Sequence, residues 1–148
     1  MIPHAVVDSS VAIKWVVEEE GSDNARSVSH AMLEAPDLLL IECANILWKK
    51  VILADLNPRE AGERWQLLLQ APVRFTSSPD LLETALRISL DLKHRVYDCV
   101  YLALALQLEV ALITADSKLV TAVRRKKSLG IHVVALSDTR MIIGADTA

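Results

Sequence analysis

Aromatic side chains are scarce in this chain: three Trp, two Tyr and one Phe in 148 residues. So few rings exclude a groove that holds single strands of nucleic acid by stacking bases. Cysteine is scarcer, with Cys43 and Cys99 alone and no Cys-x-x-Cys pair. The four histidines, His4, His30, His94 and His132, lack zinc spacing. The two thiols therefore read as small buried side chains in a reducing compartment. Positive charge is not in excess: 16 basic residues face 19 acidic ones, for a net charge of −3. That balance excludes retention of nucleic acid by a global positive field. Long apolar runs are missing too. The most apolar stretch, Cys99–Leu108, is interrupted by Gln107 and closed by Glu109, short of the roughly 18 residues a membrane span needs. No basic region followed by an apolar run opens the chain. The expectation is a soluble cytoplasmic protein with no membrane association.

What is present is apolar mass, 52% of the residues, enough for one core in a single domain over 1–148. Short β-like runs alternate with longer helical stretches, the pattern of a parallel α/β sheet. His4–Asp8 reads as a first strand buried on both faces, with Ser9 or Ser10 capping a short helix through Val17. Asp23–Leu33 reads as helix, and Ala35–Leu38 as a short strand or an extended entry into a helix over Leu39–Ala54. Asn57 caps a helix whose first turn holds Pro58. Val73–Thr76 and Ala111–Thr114 read as strands, with helices from Ser78 to Leu92 and over Val96–Leu108 between them. A helix over Asp116–Lys127 and a last strand over His132–Leu136 follow. The tail 137–148 is left unassigned.

Four acids stand in or beside apolar stretches, where desolvation is costliest. They occur in Ala5-Val6-Val7-Asp8, Leu38-Leu39-Leu40-Ile41-Glu42, Tyr97-Asp98-Cys99-Val100 and Leu112-Ile113-Thr114-Ala115-Asp116. Functional groups in open parallel sheets collect at the carboxyl ends of strands. Asp8 ends the first strand and Asp116 follows the fourth, so both project from one edge. Glu42 and Asp98 fall early in helices that pack on that sheet. Repeated acids in such places point to oxygen ligands gathered for a hard divalent cation. Ser10, Asn45 and Thr114 are the supporting polar residues: Ser10 and Thr114 neighbour Asp8 and Asp116, and Asn45 shares a helix face with Glu42. Glu18-Glu19-Glu20 reads as a solvated run. Arg124-Arg125-Lys126-Lys127 complements a helix dipole or meets an RNA backbone.

These residues carry a family resemblance. Val6-Val7-Asp8-Ser9-Ser10-Val11-Ala12-Ile13-Lys14-Trp15 resembles the opening motif of PIN-domain ribonucleases. Pro36-Asp37-Leu38 with Glu42 and Asn45 resembles their second motif, Tyr97–Ala105 the third and Thr114-Ala115-Asp116 the fourth. The compact size and the segment from Lys14-Trp15 to Glu20 look most like VapC toxins of toxin–antitoxin modules. The resemblance implies a three-layer α/β/α sandwich around a parallel sheet of about five strands. It implies endoribonuclease activity dependent on Mg²⁺ or Mn²⁺, a cognate VapB-like antitoxin, and products with a 5′-phosphate and a 3′-hydroxyl. A homodimer is a further expectation. Asp8, Glu42, Asp98 and Asp116 carry over as the catalytic quartet. In the mechanism expected here Asp8, Asp98 and Asp116 are metal ligands, Glu42 positions or deprotonates water, and Lys14 or Lys118 neutralises phosphate. After the fourth motif Ser117, Lys118 and Leu119 stand where some family members carry a further acid. The rival readings are an RNA-processing PIN nuclease without an antitoxin, a non-catalytic PIN-like binding module, and a phosphoacceptor receiver domain. The last requires paired acids beside the first strand and a lysine after the last one, whereas here serines follow Asp8 and nothing basic follows His132–Leu136 until Arg140.

Overall fold

In the computed structural model, which describes residues 3–139, the apolar runs form one all-parallel sheet. Its strands are β1 (His4–Val7), β2 (Met32–Pro36), β3 (Val73–Thr76), β4 (Ala111–Thr114) and β5 (Val133–Ala135), in the order β3-β2-β1-β4-β5. Ala5, Val6 and Val7 of β1 and Leu112 and Ile113 of β4 are fully buried. Strands covered on both faces lose any polar alternation, so the unbroken apolar strings were legible as strands.

Among the described residues seven α-helices connect the strands: α1 (Ser9–Ala12), α2 (Ser22–Val28), α3 (Leu38–Ile52), α4 (Pro58–Leu69), α5 (Leu82–Leu92), α6 (Val96–Leu108) and α7 (Ser117–Arg125). The result is the expected three-layer α/β/α arrangement. Helix α6 packs on β1, β2 and β4 and against α5. Its residues from Cys99 to Ala105 are all buried, as befits a helix apolar on every side. Asn57 caps α4 through a reciprocal bond with Glu60, with Pro58 in the first turn.

Several expected boundaries move. The helix read over Asp23–Leu33 stops at Val28, and Met32–Pro36 is β2. The Met32 amide donates to the Pro3 carbonyl at 2.9 Å, so the sheet ladder takes residues whose local pattern suits a helix. Glu34, inside β2 and nearly buried, is accommodated by a hydrogen bond with His4 on the neighbouring strand. The helix read from Ser78 begins as a 3-10 turn, Ser78–Leu81, before α5. Asp37 accepts from the Ser78 amide at 3.0 Å and from its hydroxyl, which joins the ends of β2 and β3. The Leu38 amide donates to the Ser78 hydroxyl at 3.0 Å, which satisfies one group at the start of α3. Of the tail, Ser137 and Asp138 lie in a 3-10 turn, Leu136–Asp138; the stretch 140–148 lies outside the described residues.

Strand β1 lies between β2 and β4, so the strand order reverses there. In open parallel sheets that switch point, at the carboxyl edge, is where ligands bind. Asp8 follows β1 directly.

Candidate active site

Asp8 itself caps α1, where Ser9 or Ser10 was expected to. Its carboxylate accepts from the Ser10 amide at 3.1 Å, the Val11 amide at 3.3 Å and the Ser10 hydroxyl at 2.5 Å. The Thr114 hydroxyl donates to its other oxygen from the end of β4. The side chain is buried, and desolvation drives its pKa from the ordinary carboxyl range to about 6. The bonds from Ser10, Thr114 and Val11 oppose that rise, and the charge of Asp98 adds to it. No cation is among these influences.

Glu42 lies in the second turn of α3. Burial raises its pKa, the Tyr101 hydroxyl lowers it, and the Asp98 charge raises it again. Tyr101 is almost fully buried in α6, and its hydroxyl donates to Glu42 Oε1 at 2.5 Å. Asp98, in the first turn of α6, is held by His94 Nε2 at 2.7 Å and lies 3.5 Å from Arg95 Nη2. The structure therefore brings the charge of Asp98 close enough to Asp8 and Glu42 to raise the pKa of each.

Asp116 caps α7, its carboxylate accepting from the amides of Lys118 at 3.0 Å and Leu119 at 3.2 Å. It shares an edge with the other acids, and its Oδ1 serves its own helix. Each of the four acids is turned toward protein donors, and among the described residues every buried side-chain N or O has a partner. Among those residues no three Asp, Glu, His or Cys side chains converge as they would around one ion. In donor chemistry the set still suits a hard cation, which takes carboxylate oxygens and water.

The supporting residues divide. Ser10 does hold Asp8, and its hydroxyl also accepts from the Ala115 amide at 2.9 Å. Thr114 serves Asp8 rather than the carboxylate of Asp116; from Asp116 it accepts the backbone N–H at 3.0 Å. Asn45 is exposed, and the hydroxyl bound to Glu42 is that of Tyr101. Lys14 faces Glu19 at 2.9 Å, and Glu19 also pairs with Lys50 at 3.2 Å. The acidic run is thus partly structural. The cluster Arg124–Lys127 lies at the far end of α7 from Asp116, about 13 Å along the helix. There Arg124 faces Asp138 and Lys126 faces Asp91. His94, Arg95 and Tyr101 were missed as parts of the site. The local signal for two of them was spacing ahead of α6: His94 four residues and Arg95 three residues before Asp98.

A parallel α/β sheet with carboxylates gathered at its switch point defines an acidic-edge α/β protein. The PIN domain family profile matches residues 5–125, and the chain belongs to this family. It is 36% identical over 120 residues to Ribonuclease VapC3 of Pyrobaculum aerophilum, covering 77% of this chain and 90% of that one. Among solved structures it resembles PAE2754 from Pyrobaculum aerophilum with a TM-score of 0.70 and 18% identity, over 99% of this chain and 100% of that one. VapC20 of Mycobacterium tuberculosis, described as a sarcin-ricin loop cleaving toxin, gives a TM-score of 0.63 at 16% identity, over 80% of this chain and 94% of that one. VapBC2 from Rickettsia felis, solved with a promoter DNA fragment, gives 0.61 at 10% identity, over 89% and 98% of the two chains. The last two likenesses, like the first, are likenesses of fold.

Proposed function

We propose that this protein is an endoribonuclease dependent on Mg²⁺ or Mn²⁺ and is the toxin of a toxin–antitoxin module. The observation that carries the reading is the electrostatic grouping of Asp8, Glu42 and Asp98 at the switch point of a PIN-family sheet. Asp8 is desolvated there, and among the described residues it has no ion-pair partner. Asp8 and Asp98 would hold the ion, with Asp116 joining from the β4–α7 turn; bound there, it would supply a water of lowered pKa and screen phosphate charge. Glu42, whose pKa is raised, is suited to orient that water and accept its proton. Tyr101 fixes the Glu42 side chain, and His94 fixes that of Asp98. Arg95 is about three-quarters exposed in its side chain and stands beside Asp98, so it is a cation placed to meet a backbone phosphate. Lys14, already paired with Glu19, is less free for that task.

A cognate VapB-like antitoxin and a second copy of the chain are the proposed protein partners. Two exposed apolar stripes support such contacts: Ile41, Trp48 and Ile52 on α3, and Leu82, Leu86 and Leu90 on α5. Cytoplasmic residence is part of the same reading; among the described residues no helix is long and apolar enough to cross a membrane.

The test uses chelator-treated protein restored with Mg²⁺ or Mn²⁺. Wild type is expected to cut RNA and to gain thermal stability on adding the ion. Asp8→Asn is expected to do neither. Equal cleavage by Asp8→Asn, or cleavage in chelator, overturns the metal reading. Growth arrest by wild type but not by Asp8→Asn tests the toxin reading.

A further inference from the structure

Beside the acidic edge lies a cavity of about 580 Å³, within the range of small-ligand sites. It shares the β4–α7 turn with the acids: Thr114, Ala115 and Ser117 form one wall. Thr114 donates to Asp8, the Ala115 amide to Ser10, and Ser117 follows Asp116. A ligand in the cavity therefore sits one turn of backbone from the proposed reacting centre. Lys14, Glu20 and Asn24 line the cavity as well.

These polar groups are not all consumed by the fold. Lys14 gives one bond to Glu19, which Lys50 shares, and an ammonium has three protons to donate. The Asn24 amide nitrogen donates to the Leu136 carbonyl at 3.0 Å, leaving its oxygen as an acceptor. Glu20 is exposed at the rim. Gly21 turns the chain between Glu20 and α2 at φ 87°, where an L side chain is strained. Among the described residues no aromatic or Arg side chain lines the cavity. A base held there is read by its hydrogen-bonding edge rather than by stacking.

We infer that this cavity receives the RNA nucleotide next to the cleaved bond, and that it favours guanine. Lys14 donates to guanine O6, a frequent pairing of lysine with this base. Glu20 accepts from the adjacent N1–H and N2–H groups. Adenine, cytosine and uracil each fail to offer a carbonyl acceptor beside two such donors. The inference rests on the ribonuclease reading above and specifies the substrate of that same site.

Two experiments test it separately from that reading. The first titrates 5′-GMP, AMP, CMP and UMP into the Asp8→Asn protein, following amide NMR shifts at Gly21, Ser117 and Ser137. GMP is expected to bind about tenfold tighter than the others, consistent with one good base-edge pairing, and to lose that lead in Glu20→Gln and Ser137→Trp. Equal binding of all four, no binding, or an undiminished GMP lead in both variants overturns the inference. The second maps cut ends in a randomised RNA library. Guanine enrichment at one position flanking the cut is expected with wild type and a flat profile with Glu20→Gln. Cleavage with a flat wild-type profile sinks the guanine pocket and leaves the nuclease standing. If wild type cuts no RNA, the nuclease reading fails, and GMP binding still decides whether the cavity takes guanine.

Discussion

The β1–α1 and β4–α7 turns are built from one grammar and behave differently. Each has a buried apolar strand, then an acid that caps the following helix with two backbone amides. At the first turn the carboxylate also takes the hydroxyls of Ser10 and Thr114 and is buried, with a pKa pushed up to about 6. At the second, Asp116 has its helix amides as partners and is only half-buried. An N-cap alone stabilises a carboxylate. What makes Asp8 costly is its place at the switch point, beneath α3 and α6, with the charge of Asp98 beside it. Capping geometry therefore does not distinguish the two acids; desolvation does.

Asp8→Asn breaks the contrast most strongly. It should reduce metal-dependent RNA cleavage about 100-fold or more, since one ligand charge is lost where the ion is held; the rate ratio in a single-turnover assay measures it. The same variant should be more stable than wild type when metal-free, by up to about 3 kcal/mol at pH 7. The sign follows from a folded pKa raised above the unfolded one. The folded chain then binds the proton more tightly, so burial of the charged Asp8 penalises it fully above about pH 6, and acidification removes the penalty. The stability difference between variant and wild type should shrink as pH falls from 6 toward 4, read from urea denaturation midpoints. A difference independent of pH would refute the assignment of Asp8 as a buried carboxylate whose pKa is raised on folding.

Thr114→Val acts on both turns at once, because one hydroxyl donates to Asp8 and accepts from the Asp116 amide. The isosteric change leaves that amide short of a partner and deprives Asp8 of a donor. A loss of about 1–3 kcal/mol is expected. The Asp8 pKa should rise further, since the bond removed is one that lowers it. Carboxyl-carbon NMR titration would detect the shift; an unchanged Asp8 titration would sink the proposed coupling between the turns.

The extent to which the sequence announced this arrangement follows the range of the interactions. Strands β3 and β4 and helix α6 appear at the expected residues because their signals are local: buried apolar strings, and an Ala- and Leu-rich run opened at Val96. The acids were legible for the same reason, each a charge set against an apolar context. The partners of those acids were not. Tyr101 meets Glu42 across 59 residues and Thr114 meets Asp8 across 106. Nothing in either residue's neighbourhood encodes that meeting. Strand β2 was misplaced because Glu34 breaks its apolar string, and the His4 bond that makes Glu34 tolerable there lies 30 residues away.

Asp116 gives the finest division between the two turns. Asp116→Ala removes the cap of α7 and should destabilise the protein by about 1 kcal/mol. Asp116→Asn keeps an acceptor at the same place, and Asn caps about as well as Asp, so the melting temperature should stay near that of wild type. Cleavage separates the roles. If Asp116 joins the metal from its turn, Asn restores stability and leaves cleavage about tenfold low, the usual scale for losing one oxygen near a metal. If Asn restores cleavage in full, Asp116 is a helix cap and nothing more. The metal would then rest on Asp8 and Asp98, and the likeness between the two turns would be one of backbone geometry alone.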